Sequence, residues 1–409
     1  MKSIFSELIK NHPEDSSWSW RDKLQEEYPG IIITESDDHP YVLFRYSIGC
    51  DFSDPLVQEA RGIILNKYSG RVVCFPFRKF GKYYEPYADK IDWSTARVLD
   101  KLDGSIIKLW FDWYHGKWAF STNGCIYAED AKVEIRPNEY ATFMDLIKKA
   151  ENYPYIKSLI DNDELSKDTT YIFELTGPYN QVVIHYSSSY LWHIGTRNNI
   201  TGEESNTDIG VKKPFEFDCK SLDECIQLIN QMNTKGGEID RCDFEGFVVV
   251  DANWNRIKVK SSIYQVLHNI VSGTETSRLE LIKLLYNKKI NISSICYYFP
   301  NITHYLKYYD FMLTQYICDC NAIIDVSRKI YKLSGNDRKT VALCIKDHKY
   351  KTIGFMCLDN EYTFDEILSN MKIDKYIYLT RAIPVYVPTP IDAFEKYYKL
   401  KEDLKNGRF

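Results

Sequence analysis

Apolar residues at helical spacing open the chain. Ile4, Phe5 and Leu8 within 1–10, then Trp20 and Leu24 within 16–28, predict two short helices that turn these side chains inward. The period then changes to two. Runs rich in β-branched and aromatic residues at 41–46, 61–65 and 71–75 predict strands, with residues 66–70 as the hairpin loop between the last two. The strand pattern continues through 105–111 and 117–121 around the turn Tyr114-His115-Gly116, and a helical insertion is expected at 138–160. Strands are expected again at 171–173, 181–186 and 190–196, then a helix over 220–233 and a hairpin joining 247–251 to 256–259. From about 269 onward the spacing is helical, at 277–286, 301–332 (with room for breaks) and 337–346. Pro384, Pro388 and Pro390 then mark an extended segment before a last helix at 391–405. Strands followed by helices predict an α+β chain. We expect an N-terminal domain over 1–270, made of antiparallel sheets with flanking helices, and a mostly α-helical C-terminal domain over 271–409.

With 409 residues, two domains of ordinary size can each bury a core. The hydrophobic share of 44% and charged share of 27% are those of a soluble globular chain. No apolar run approaches the roughly 20 residues that span a bilayer, and no charged-then-apolar leader opens the sequence, so a cytoplasmic protein without a membrane partner is expected. Eleven cysteines without CxxC pairs point to reduced thiols. The net charge of -5 divides unevenly: residues 1–268 hold 31 Lys and Arg against 41 Asp and Glu, whereas 269–409 hold 21 against 16. A basic C-terminal part could hold a phosphate backbone. The 32 tyrosines could stack on unpaired bases, but Ile, Asn and Lys are abundant too, so tyrosine number alone decides nothing.

The chemistry concentrates in short strings. Lys101-Leu102-Asp103-Gly104-Ser105 places a lysine two residues before an Asp-Gly turn. Upstream stand Glu59-Ala60-Arg61-Gly62-Ile63 and Arg78-Lys79-Phe80. Downstream come Phe173-Glu174-Leu175-Thr176-Gly177, Phe244-Glu245-Gly246-Phe247, and Lys258-Val259-Lys260-Ser261 followed by Tyr264. Lys258 and Lys260, two apart on a strand, face the same way. Glu174 and Glu245 sit in apolar runs, where an ionised carboxylate is costly unless it meets a metal or hydrogen-bond donors.

Taken in this order, the strings resemble the covalent nucleotidyltransferases, and among them the single-stranded RNA ligases of T-even bacteriophages, which repair tRNA. Asp337-Arg338-Lys339-Thr340 extends the resemblance into the C-terminal part. The resemblance implies a nucleotidyltransferase domain and an ATP-dependent RNA ligase that joins 5′-phosphate and 3′-hydroxyl ends through a lysyl-AMP intermediate, with ATP and Mg²⁺ as cofactors. Lys101 would be the nucleophile. A lysine amine has an ordinary pKa of about 10.4, so the reaction asks for cations beside it that disfavour the ammonium. The resemblance also implies that Lys258 and Lys260 lie along the α-phosphate, Glu174 contacts the ribose, Glu245 helps hold Mg²⁺, and Arg61 and Lys79 clamp the triphosphate. Asp103 and Gly104 complete the nucleotide site, Tyr264 supports the paired lysines, and Arg338 and Lys339 are RNA-binding candidates.

Two positions depart from the phage pattern. Asn123 stands where a basic residue is expected, and Gly81 replaces an aromatic shortly after Lys79. The implied partner is a broken, tRNA-like RNA, with a separate kinase and phosphatase to heal its ends. Three other readings share the motifs: an mRNA capping guanylyltransferase, a DNA ligase, and an inactive homologue that only binds RNA ends. The first two place a small β-barrel after the last motif, whereas this chain turns helical there.

Overall fold

The computed structural model describes residues 2–136, 138–180, 182–235, 238–239, 244–271 and 303–358, with residues 292, 293 and 296. The expected helices at 277–286 and 391–405 and the segment around Pro384, Pro388 and Pro390 lie outside the described residues. The chain divides into two compact units, one of residues 1–233 with 242–265, the other of the remaining residues.

In the first unit the opening helices run over Ile4–Asn11 and Trp20–Glu27. The first is anchored from a distance. Glu59 is buried, and its carboxylate accepts from the Ser3 hydroxyl at 2.6 Å and from the Ile4 and Phe5 amides at 3.1 Å each, satisfying N–H groups that a helix start leaves unpaired. The apolar faces, including Phe5, Ile9, Trp20 and Leu24, cover an antiparallel sheet of Ile31–Glu35, Tyr41–Tyr46, Arg61–Asn66 and Val72–Cys74. Phe5 stacks on Phe44 with ring centroids 4.2 Å apart.

Two further sheets carry the motif strings. One orders its strands as Glu204–Ser205, Tyr190–Asn198, Thr169–Thr176, Ser105–Asp112 and Lys117–Ser121. The other runs Glu216–Phe217, Arg97–Asp100, Gly246–Val250 and Arg256–Lys260. The pairing is antiparallel, and the registers place Glu174 opposite Ile106, Phe247 opposite Asp100, and Gly246 opposite Lys260. These sheets with their flanking helices make the first unit the antiparallel part of an α+β fold. Ile107, Leu109, Phe173 and Leu175 enter one core with Met144, Leu146 and Ile147. Val98, Phe247, Val249, Ile257 and Val259 form another with Cys225 and Ile229 of the helix Leu222–Asn233.

Two expected elements differ. The span 138–160 does not begin as a helix: Lys132–Arg136 and Glu139–Thr142 form a hairpin, and helices follow at Phe143–Lys148 and Tyr153–Asp161. Thr142 decides the start, because its hydroxyl accepts from the Asp145 amide while Asp145 reaches back to the Thr142 amide, a reciprocal cap. Helical spacing holds from 143, interrupted between Lys148 and Tyr153, and the residues upstream pair as strands. The expected strand at 181–186 is also absent among its described residues, 182–186. The amides of Val183 and Ile184 are taken by the Asp103 carboxylate at 2.7 and 2.6 Å, which leaves them unable to join a ladder.

In the second unit, the helix Thr303–Leu333 runs unbroken and packs with Arg338–Cys344 and Lys351–Met356, burying Ile323, Val341, Ile345 and Leu358 together. Asp337 caps the middle helix, accepting from the amides of Lys339 and Thr340. Among the described residues, no helix is long and apolar enough to cross a membrane.

Candidate active site

A cavity of about 610 Å³ opens within the first unit, inside the range usual for small-molecule sites. Arg61, Lys101, Gly104, Glu174, Lys258 and Lys260 line it together, although they come from separate stretches of the chain. The two sheets bring them there: Glu174 projects from the strand Thr169–Thr176, and Lys258 and Lys260 share a face of Arg256–Lys260. Lys101 follows the strand Arg97–Asp100, and its amide donates to the carbonyl of Gly246 at 2.9 Å.

Glu245 ties these groups together. One of its carboxylate oxygens, Oε1, lies 2.7 Å from Lys101 Nζ and 2.7 Å from Lys260 Nζ, and the residue is 2% exposed. A carboxylate this buried is tolerated because two cations share its charge. Burial holds the Lys258 ammonium well below the ordinary lysine range, with Arg61, Lys101, Lys79 and Lys260 adding repulsion. Lys260 is lowered as well, chiefly by burial. Phe80 receives two of the cations on its ring, Arg61 at 5.2 Å and Lys258 at 4.6 Å.

Lys79, Asp103, Tyr264, Arg338 and Lys339 lie outside the cavity lining. Lys79 is not among the lining residues; its ammonium lies 3.9 Å from the Phe52 ring centre and 5.0 Å from that of Tyr46. Asp103 is buried, accepting from Val183, Ile184 and the Tyr264 hydroxyl, the last at 2.7 Å. Tyr264 thus anchors the turn after Lys101, while its ring stands 5.1 Å from the Lys260 ammonium. Gly104 packs against protein backbone: a Cβ there would meet the Leu175 carbonyl oxygen at 2.2 Å, so glycine lets the Glu174 strand pass. Asn123 lines the cavity and Gly81 does not, but the Gly81 carbonyl accepts from the Lys258 amide at 2.9 Å. Arg338 lies in the second unit, its guanidinium 4.9 Å from the Phe355 ring centre, and Lys339 is exposed in the same first turn.

Arg256 and Asp100 are among the lining residues not singled out from sequence. Arg256 extends the alternation of Lys258 and Lys260, a legible signal, but it is buried in an ion pair with Glu204 at 2.6 Å. Asp100 precedes the nucleophile candidate, and burial pushes it up to about 6.

A family model described as RNA ligase matches residues 59–264, half of the chain. The chain belongs to this RNA ligase family. The matched span begins at Glu59 and ends at Tyr264, so it holds every cavity-lining motif. A protein of Autographa californica nuclear polyhedrosis virus, provisionally named a bifunctional polynucleotide kinase/RNA ligase, is 30% identical over 265 residues, which is 60% of this chain and 36% of that protein. A provisionally named RNA ligase of Thermovibrio ammonificans is 26% identical over 251 residues, 58% of this chain and 60% of that one. The chain thus spans between about a third and three fifths of these relatives' lengths. Among solved structures, an archaeal ATP-dependent RNA ligase aligns with a TM-score of 0.41 at 14% identity, covering 69% of this chain and 68% of that one. An ATP-dependent DNA ligase of Aquifex aeolicus, also provisionally named, aligns with a TM-score of 0.39 at 10% identity, covering 64% and 66%.

The site has a pH signature. Burial pushes Glu174 up to about 7, against the pull of Lys101 and Arg61, whereas an unfolded glutamate titrates near 4.5. The native carboxyl therefore keeps its proton over a range where the unfolded one has lost it. This contribution to stability is complete below about 4.5 and lost as the pH rises through 7. Glu174→Gln should stabilise the ligand-free protein at pH 8 by on the order of 2 kcal/mol and flatten the decline between pH 5 and 8. Thermal unfolding at pH 5, 6.5 and 8 measures it, and a decline as steep as in the parent protein contradicts the assignment.

Proposed function

We propose that the chain is an ATP-dependent RNA ligase that joins a 5′-phosphate to a 3′-hydroxyl through an adenylate carried on Lys101. The observation that carries the reading is the convergence of Lys101 with Lys258, Lys260, Arg61 and Glu174 on one cavity, with Glu245 2.7 Å from both Lys101 and Lys260.

The Lys101 amine attacks the α-phosphorus of ATP, forming a P–N bond as the P–O bond to pyrophosphate breaks. Its departing proton has Glu245 within hydrogen-bond reach. Lys258 and Lys260 stabilise the negative charge that grows on the phosphoryl oxygens, and their buried setting strengthens that attraction. An oxygen of the RNA 5′-phosphate then takes the adenylate from Lys101, and the 3′-hydroxyl attacks that activated phosphate with release of AMP. Arg61 offers a bidentate fork for the triphosphate. Glu174, which lines the cavity, is assigned to the ribose.

Among the described residues, no group of three metal-ligating side chains is present. Mg²⁺ fits such a site, because it is commonly held by one or two carboxylates together with substrate phosphates. Glu245 is the carboxylate we assign to it, and the ion when bound would neutralise phosphate charge. The C-terminal region, basic in balance and containing Arg338 and Lys339, is assigned to recognition of a broken tRNA-like RNA, and the healing of its ends to a partner kinase and phosphatase.

Incubation with α-labelled ATP and Mg²⁺ should give an acid-stable label on the protein, and labelled GTP should not. The labelled protein should join 5′-phosphorylated single-stranded RNA in preference to nicked DNA. Absence of label contradicts the ligase reading, and preference for GTP or for nicked DNA moves it to a capping enzyme or a DNA ligase.

A further inference from the structure

Lys108 is the least expected charge in the molecule. It lies in the strand Ser105–Asp112, and its side chain is 0% exposed, a condition lysine almost never accepts without oxygen partners. Three oxygens surround its ammonium: the Gly62 carbonyl at 3.0 Å, the Thr122 carbonyl at 2.6 Å and the Asn123 side-chain oxygen at 3.4 Å. The cradle exists because residue 62 is glycine. A Cβ there would stand 2.5 Å from the Lys108 nitrogen.

The cradle lies directly behind the cavity wall. Arg61, Thr122, Asn123 and Gly124 all line the cavity, so the ammonium grips both wall segments from behind. Strand alternation explains the placement: Ile106, on the same face two residues earlier, lines the cavity, and Trp110, two residues later, is buried in the core. An ammonium has only N–H groups to offer, so it must take Asn123 by the amide oxygen. That choice fixes the other end of the amide. The Asn123 Nδ2 group has no hydrogen bond among the described residues, and the residue is partly exposed on the cavity side.

We propose that Lys108 is a positioning residue for the nucleotide site: its ammonium orients Asn123 to donate an N–H to a phosphate of ATP, and its charge supports that contact from one layer behind. The proposal rests on the ligase reading for the identity of the nucleotide. Burial pulls Lys108 down to about 8, which still leaves it mainly the ammonium at neutral pH. Two wall segments tied by one cation thus present a neutral donor beside Arg61.

The test moves the cation. ATP binding is measured by titration calorimetry, and labelling by α-labelled ATP, for the parent protein, Lys108→Met, Asn123→Ala and the double variant Lys108→Met with Asn123→Lys. Each single change should weaken ATP binding by roughly tenfold, the scale of a lost hydrogen bond to a charged group. The double variant, with its cation brought forward to position 123, should return to within about threefold of the parent. A purely structural lysine would not be rescued in this way. Unchanged ATP binding in Asn123→Ala, or a double variant as weak as Lys108→Met, overturns the proposal. If Lys108→Met shows no cooperative thermal unfolding, Asn123→Ala alone decides, since it leaves the buried ammonium in place. A parent protein that binds ATP but takes no label defeats the ligase reading and leaves this inference to be judged on binding.

Discussion

Lys101→Ala should take no label from α-labelled ATP, a fall on the order of a thousandfold or more, because the amine proposed to carry the adenylate is gone. The loss should be chemical. Glu245 keeps Lys260 at 2.7 Å when the Lys101 amine is removed, so its buried carboxylate still has a cation, and the fold should persist with an unchanged far-ultraviolet spectrum. Lys101→Arg sharpens the test. The guanidinium keeps the positive charge beside Glu245 but is not a nucleophile at any accessible pH, so it too should take no label. Supplied with RNA whose 5′-phosphate already carries the adenylate, Lys101→Ala should seal it to a 3′-hydroxyl within about tenfold of the parent, since that step does not use the amine. Labelling of either variant at the parent's rate would remove Lys101 from the chemistry.

The second large effect is expected one peptide from Glu245. Gly246→Ala should lower stability by about 3 kcal/mol or more and abolish adenylate labelling together. The glycine has φ +137°, and a Cβ at that position would stand 2.2 Å from the Val259 carbonyl oxygen and 2.8 Å from the Lys260 Cα. Backbone on the neighbouring strand cannot turn aside as a flexible side chain could. The Gly246 carbonyl also accepts the Lys101 amide, and Gly246 pairs in register with Lys260. Any shift that makes room therefore displaces the amine, the carboxylate beside it and the paired lysine at once. Denaturant unfolding together with the labelling assay checks this, and a variant of parental stability that labels normally would show that the strand gives way without cost.

The readable part of the site was the part carried by local periodicity. Lys258 and Lys260 lie two apart in a run of strand-forming residues, so their shared face followed from strand geometry alone, and both line the cavity. The Asp-Gly pair after Lys101 was readable as a turn. Its buried carboxylate was not, since its partners lie at Val183, Ile184 and Tyr264, far along the chain. For the same reason residues 182–186 looked like a strand: their composition favours one, and nothing nearby in sequence shows that Asp103 takes their amides. Glu59 gave a similar surprise, standing in a motif string yet capping the first helix through Ser3, Ile4 and Phe5. Lys79 was expected beside phosphates and lies over the rings of Phe52 and Tyr46, an arrangement that depends on how a loop returns.

Lys108 is the clearest case of information absent from the string. In Ser105–Asp112 it occupies an alternating position between Ile106 and Trp110, where a lysine ordinarily marks a solvated face. The opposite is true, because the carbonyl of Gly62 arrives from another strand, and that of Thr122 from the turn after Lys117–Ser121, to receive it.

By itself the sequence determined most of the strands and helices, and which side chains share a face within them, because backbone geometry sets those periods within a few residues. It also carried the set of reactive groups and their order along the chain. Only the tertiary structure decided which of those groups share one cavity and which are spent on holding turns and helix ends. A carboxylate or an ammonium takes its role from the donors and acceptors within about 3 Å of it, and in a folded chain those neighbours come mostly from distant positions.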